Sequence, residues 1–227
     1  MAGGRGVDLF YRVGKLTVGT LTRLSWRIKV EGLSHVPARG GVILAGNHLS
    51  VSDQLFLGAV LSRQVHFWAK AEYFQLPGVK GAVIGGVVRG LGAIPVHREG
   101  GRAALGALDA AIPVLRGGAV VGIFPEGTRS PDGRLYRGRT GVARLSVAAE
   151  VPVVPVGISG TDKVQPIGQR FPTPGKSVTI RFGEPLSPHG RGRDISSQRA
   201  YTEEIMKEIQ RLTGQEYTGQ YAPPKRS

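Results

Sequence analysis

The stretch "GGVILAGNHLSVSDQLFLGAVLS", residues 40–62, changes its hydrophobic period across a short polar turn. Its first part, 40–47, is an apolar run bounded by glycines, which predicts a buried strand. Its last part, 53–62, has helical spacing, with Ser52 or Asp53 suited to the N-cap. His48 and Asp53 sit in between, five positions apart. On a helix such a pair lies about 140° apart, and on a strand it points to opposite faces. A strand, a turn and a helix start bring the two together. That arrangement also puts His48 at the C-terminal end of a strand, where ligand sites of open α/β sheets collect.

The same alternation continues outward. Residues 65–70, 93–98, 119–127, 151–158 and 177–186 read as strands, and 101–118, 140–150 and 195–214 as helices, the last ending at Gly214. Two prolines bracket the apolar run "VPVVPVGI" (151–158), which predicts a strand at a sheet edge. Alternating strands and helices imply βαβ units. The expected fold is therefore α/β: a single domain with a mixed, mostly parallel sheet flanked by helices.

Residues 7–28 read as one or two amphipathic helices, and 5–29 carry six basic side chains against one acid, Asp8. Tyr11 and Trp26 suit a lipid headgroup boundary. The division expected is a membrane-association segment over 1–30, a catalytic domain over 31–214 and a flexible tail over 215–227. Neither a secretory signal nor a transmembrane helix is expected, because charges interrupt every apolar run.

The chain has 30 Lys and Arg against 16 Asp and Glu, a net charge of +14, and no cysteine. The charge points to an anionic partner: nucleic acid, an acidic membrane face or a phosphorylated substrate. Aromatic residues are 7% of the chain, no helix-turn-helix or stacking motif is evident, and the basic residues fall in two separated regions. A nucleic-acid-binding module is therefore disfavoured. Absence of cysteine excludes thiol nucleophiles and thiolate metal sites. Ser50 and Ser52 lack a G-x-S-x-G elbow, and no second histidine stands at metal-ligand spacing. An aspartate accepting the imidazole Nδ1–H leaves Nε2 as a proton acceptor, and such a dyad needs no serine when the substrate supplies the hydroxyl.

Three further blocks bear on the dyad. "FPEGTRS" (124–130) follows an apolar strand and offers backbone N–H groups, a hydroxyl and a guanidinium to an oxyanion. Five arginines fall within 129–144, and "GAIPVHR" (92–98) ends on Arg98. The ordered set "NHLSVSD" (47–53), "GAIPVHR", "FPEGTRS" and "VPVVPVGI" resembles the four blocks of the glycerolipid acyltransferases, in particular the bacterial 1-acylglycerol-3-phosphate O-acyltransferases. The resemblance covers about residues 30–190.

The resemblance implies acyl transfer from a thioester, on coenzyme A or acyl carrier protein, to the free hydroxyl of 1-acylglycerol-3-phosphate, giving phosphatidate. Glycerol 3-phosphate, another lysophospholipid or a glycolipid are alternative acceptors. His48 is then the general base and Asp53 its orienting partner. Glu126, Gly127, Thr128 and Arg129 match the acceptor-binding block, Arg98 and Arg129 are the implied phosphate ligands, and Arg139 assists. Val151–Ile158 would shape the donor side. No metal or cofactor is implied, and the enzyme would lie peripherally on the cytoplasmic face of an anionic membrane. His97 departs from the pattern, occupying a position that is often acidic or polar. Backbone N–H groups near His48 are expected to meet the developing oxyanion.

Overall fold

The structure is a computed structural model that describes residues 17–74, 77–78, 81, 93–96 and 101–223. Its centre is the strand read first. β2 (Val42–Gly46) is buried at all five positions and lies between β6 (Val120–Ile123) and β7 (Val153–Ser159), parallel to both. A strand covered on both faces must be apolar throughout rather than alternate. Ile43 and Ala45 face one core layer with Val121, Leu115 and Ile205, while Val42 and Leu44 face the other with Phe56, Leu57 and Val154.

Six strands form the main sheet in the order β1-β8-β7-β2-β6-β3. Here β1 is Arg27–Glu31, β3 is Val65–His66 and β8 is Ser177–Phe182. Only the β7–β8 pair is antiparallel among these six strands, so the sheet is mixed and mostly parallel as expected. β4 (Trp68–Lys70) and β5 (Ile94–Val96) make a small parallel sheet of their own. Helices α1 (described over 17–25), α2 (Asp53–Val60), α3 (Gly101–Arg116), α4 (Gly141–Ala149), α5 (Thr161–Val164) and α6 (Ile195–Thr213) complete the order. α6 ends at Gly214, whose φ of 72° is the left-handed C-cap expected there.

Four expectations need correction. β7 is interior, between β8 and β2. Pro152 precedes the strand. Pro155 sits on the side facing β8, where its carbonyl accepts from Gly183 N–H at 2.8 Å, so its missing N–H removes no bond to β2. The strand expected over 65–70 splits between two sheets. The helix expected over 7–28 stops at 25, and Arg27–Glu31 pair with β8 instead. Trp26 points inward: its indole N–H donates to Thr173 O at 2.7 Å and its ring meets Phe56 edge-on. The part of that segment before residue 17 lies outside the described residues.

The tail is the fourth. Residues 215–221 are docked, with Leu135 N–H bonded to Glu216 O, Thr218 N–H to Leu135 O and Arg137 N–H to Gln220 O at 2.7–2.9 Å. Tyr217 Oη adds a 2.7 Å bond to Glu203 on α6. This segment forms a strap over 133–137 rather than a flexible end.

Candidate active site

The site lies where the chain leaves β2 and β6, neighbours that run parallel and therefore open their C-terminal ends side by side. Asn47 fixes the exit from β2. Its side-chain amide donates to Ile158 O and accepts from Ile158 N–H, both at 2.8 Å, locking the turn to β7.

His48 follows, and its position is over-determined. Its Nδ1–H donates to Asp53 Oδ2 at 2.8 Å, and its backbone N–H donates to Glu126 Oε1 at 2.9 Å. Its carbonyl accepts from Ser130 N–H at 2.7 Å, and its ring stacks on Phe124 at 4.0 Å and 10°. The Asp53 bond assigns the proton to Nδ1 and leaves the Nε2 lone pair free. Asp53, the first residue of α2, is wholly buried, and the same Oδ2 also accepts from Leu49 N–H at 2.8 Å and Ser50 N–H at 2.9 Å. The strand–turn–helix reading of this stretch thus matches the geometry.

The serines between them are structural. Ser50 is fully buried and donates to Gln165 O at 2.8 Å, and its hydroxyl also contacts Ser52 Oγ at 2.8 Å. Ser52 is buried as well, at 3% exposure.

Glu126 braces the turn from below. It is 2% exposed, and its second oxygen accepts from Tyr136 N–H at 2.9 Å. Burial pushes its pKa up to about 7, with the charges of Asp53 and Asp132 adding to the effect and the two N–H bonds opposing it. With both oxygens engaged by backbone, Glu126 ties the His48 turn to the segment under the strap. The N–H groups of His48, Leu49 and Ser50 all point to carboxylates, so they are not the oxyanion donors expected from sequence.

The turn after Glu126 needs glycine. Gly127 has φ 75°, and a Cβ there would stand 3.1 Å from Arg139 Nε, so glycine lets the Arg139 side chain lie against the turn. Arg139 N–H donates to Pro125 O at 2.8 Å, and its guanidinium sits over the Tyr221 ring at 5.4 Å. Of the five arginines in 129–144, three have carboxylate partners: Arg134 with Asp132 at 2.7 Å, Arg137 with Glu203 at 3.3 Å and Arg144 with Asp109 at 3.2 Å. Among the described residues, Arg129 and Arg139 have none. These are the two arginines of this stretch singled out from sequence. Thr128 is half-buried beside Arg129. Arg98 and His97 lie outside the described residues.

Sequence reasoning missed Asn47, Phe124 and the strap. An asparagine directly before the histidine and an aromatic before Pro125 were visible, but nothing local revealed what they would touch. Among the described residues no three His, Asp or Glu side chains converge at metal-binding distance, and no helix is long and apolar enough to cross a membrane.

Comparison with known proteins places the chain in a family. A family model described as acyltransferase matches residues 27–159. The 1-acyl-sn-glycerol-3-phosphate acyltransferase of Bacillus subtilis is 33% identical over 189 residues, covering 82% of this chain and 87% of that one. A chloroplast protein of the same name from Arabidopsis thaliana is 30% identical over 176 residues, 77% of this chain, and this chain spans only 47% of its length. The crystal structure of the 1-acyl-sn-glycerophosphate acyltransferase PlsC from Thermotoga maritima superposes with a TM-score of 0.67 at 31% identity, covering 91% of this chain and 79% of that one. This chain belongs to the acyltransferase family.

Proposed function

We propose that the protein transfers an acyl group from a thioester, carried on coenzyme A or acyl carrier protein, to the free hydroxyl of 1-acylglycerol-3-phosphate. His48 Nε2 takes the hydroxyl proton as the oxygen attacks the thioester carbonyl. The C–S bond then breaks, and the departing thiolate recovers the proton from His48, leaving phosphatidate and free thiol. No covalent acyl-enzyme forms, in keeping with the buried serines. A base positioned this way typically contributes about 10²–10⁴-fold.

The observation that carries this reading is a histidine whose Nδ1 is held by Asp53 at 2.8 Å, next in the fold to the Gly127 turn, which carries Arg129 and has Arg139 packed against it. Arg129 and Arg139, with Arg98, bind the acceptor phosphate, and Gly127 and Thr128 supply the turn that holds it. Glu126 serves as the brace of that turn rather than as a ligand. Strand β7 shapes the donor side. The enzyme works peripherally at an anionic membrane on its cytoplasmic face, without metal or cofactor.

The test is an assay of purified protein with lysophosphatidate and acyl-coenzyme A or acyl-acyl carrier protein. Phosphatidate should form with wild type and fall by about a hundredfold or more with His48→Ala. Wild-type turnover that survives His48→Ala, or no phosphatidate from either donor, refutes the proposal.

A further inference from the structure

Among the described residues, nine large hydrophobic side chains are exposed, and six of them lie on three segments that are bonded to one another. Val18, Leu21 and Leu24 stand on α1 at 48%, 62% and 80% exposure; Ile167 and Phe171 stand on the 165–176 loop at 52% and 69%; Val51 sits in the His48 turn at 50%. Isolated exposed hydrophobics are ordinary, whereas a cluster marks an interaction surface.

Hydrogen bonds tie the three segments together. The loop is fastened to the end of α1 by Trp26 Nε1–H to Thr173 O and Gly175 N–H to Ser25 O, both 2.7 Å, and to the catalytic turn by Ser50 Oγ–H to Gln165 O at 2.8 Å.

Part of the loop's backbone is already satisfied from within: Gln165 Nε2 donates to Gln169 O at 3.3 Å and Arg170 O at 3.1 Å, and Gln169 Nε2 donates to Phe171 O at 2.5 Å. Unsatisfied backbone groups are what makes a loop costly to bury in lipid.

Charge selects the occupant. Residues 161–176 contain Lys163, Arg170 and Lys176 against one acid, Asp162, and 17–29 contain Arg23, Arg27 and Lys29 and no acid. Lys29 is paired with Glu31 at 2.7 Å, but Arg27, Lys163, Arg170 and Lys176 are exposed. Apolar side chains ringed by cations match an anionic bilayer interface.

We propose that the 165–176 loop is a second membrane-insertion element, entering an anionic leaflet through Ile167 and Phe171 beside α1. The inference deepens the membrane side of the proposed function. By its bond to the Ser50 turn, it places the entrance to His48 at the lipid surface, where an acceptor with its chain still in the leaflet presents its headgroup.

The test is vesicle co-sedimentation of the full chain, comparing wild type, Ile167→Ser with Phe171→Ser, and Ile195→Ser as a control at a site 85% exposed elsewhere. Phosphatidylcholine vesicles are used with and without phosphatidylglycerol. Wild type and Ile195→Ser should bind the anionic vesicles alike, and the double variant about tenfold or more weakly. Partitioning of the double variant within twofold of wild type overturns the proposal. So does a concentration-dependent dimer that the double variant abolishes while leaving vesicle binding intact, which assigns the face to self-association. Binding is read without catalysis. A wild type that binds vesicles but makes no phosphatidate therefore refutes the proposed function and leaves this inference standing.

Discussion

Glu126→Gln separates the role of a buried carboxylate from that of its charge. In the folded protein Glu126 titrates near 7 because burial disfavours its ionised form; in the unfolded chain it titrates near 4.5. Between those values the native state binds the extra proton, so the contribution of this group is fully present below pH 4.5 and is lost as pH rises through 7. A displacement of that size, at about 1.4 kcal/mol per pKa unit, amounts to about 3 kcal/mol by pH 8. Glutamine carries no titration but has only one acceptor oxygen. It keeps one of the two bonds to His48 N–H and Tyr136 N–H, both 2.9 Å, and faces the other donor with its own NH₂. An unmatched buried donor costs about 1–3 kcal/mol.

The two stability curves should therefore cross. Near pH 5 the variant is less stable than wild type by about 1–3 kcal/mol. At pH 8 it equals or exceeds wild type, because wild type has lost the protonated state. Urea unfolding at pH 5, 6, 7 and 8, followed by the fluorescence of Trp26 and Trp68, measures the difference, and other titrating groups cancel between the two proteins. Parallel curves, separated by the same free energy at every pH, refute a buried Glu126 titrating near neutrality.

Asp53→Asn should lower kcat by about 10²-fold or more with little change in acceptor KM, because the amide oxygen kept toward Nδ1 by Leu49 and Ser50 N–H carries no charge to stabilise the imidazolium; a loss under tenfold contradicts the role assigned to Asp53. Arg129→Ala and Arg139→Ala should each raise acceptor KM by about tenfold or more without raising donor KM, as expected for charge-assisted phosphate contacts, whereas Arg144→Ala, paired with Asp109, should not. Gly122→Ala builds a Cβ 2.2 Å from the Phe67 ring, which stacks on Phe124 at 6.0 Å. It should cost about 1–3 kcal/mol in thermal or urea unfolding and lower kcat, and added Phe67→Leu should restore part of both.

The site's core was legible because its signal is local. The period changes at Asn47, and only a strand–turn–helix brings His48 to Asp53. What escaped depends on distant partners. Five arginines in one stretch look equivalent until Arg137 is found against Glu203 and Arg144 against Asp109, 66 and 35 positions away. Pro155 marks an edge by rule, yet the rule concerns one missing N–H, and here that gap falls on the side facing β8 and leaves the bonds to β2 intact. Leu24 and Ile28 fit helical spacing, so the pairing of Arg27–Glu31 with β8 was hidden. The strap is polar, without an aliphatic residue and with a glycine at 219, and reads like a loose end. It is docked mainly by backbone bonds to Leu135 and Arg137, and such bonds leave no mark on side-chain pattern.

The wiring of the turn also bears on which reaction it can run. Phe124 covers one face of His48, Asp53 takes Nδ1, and Glu126 and Ser130 hold its backbone at both ends. The hydroxyls of Ser50 and Ser52 are consumed internally. Nε2 is thus the free basic atom of the histidine, on a side chain 15% exposed, and no protein hydroxyl in the turn is placed to accept its help. Fixing the base this firmly brings a substrate hydroxyl into reach at low entropic cost, provided something else fixes the substrate. In the proposed function, Arg129 and Arg139 meet that condition. Arg139 lies against Gly127, the residue next to the Glu126 that holds His48 N–H, so the proposed phosphate anchor and the proposed base are joined through one short stretch of chain.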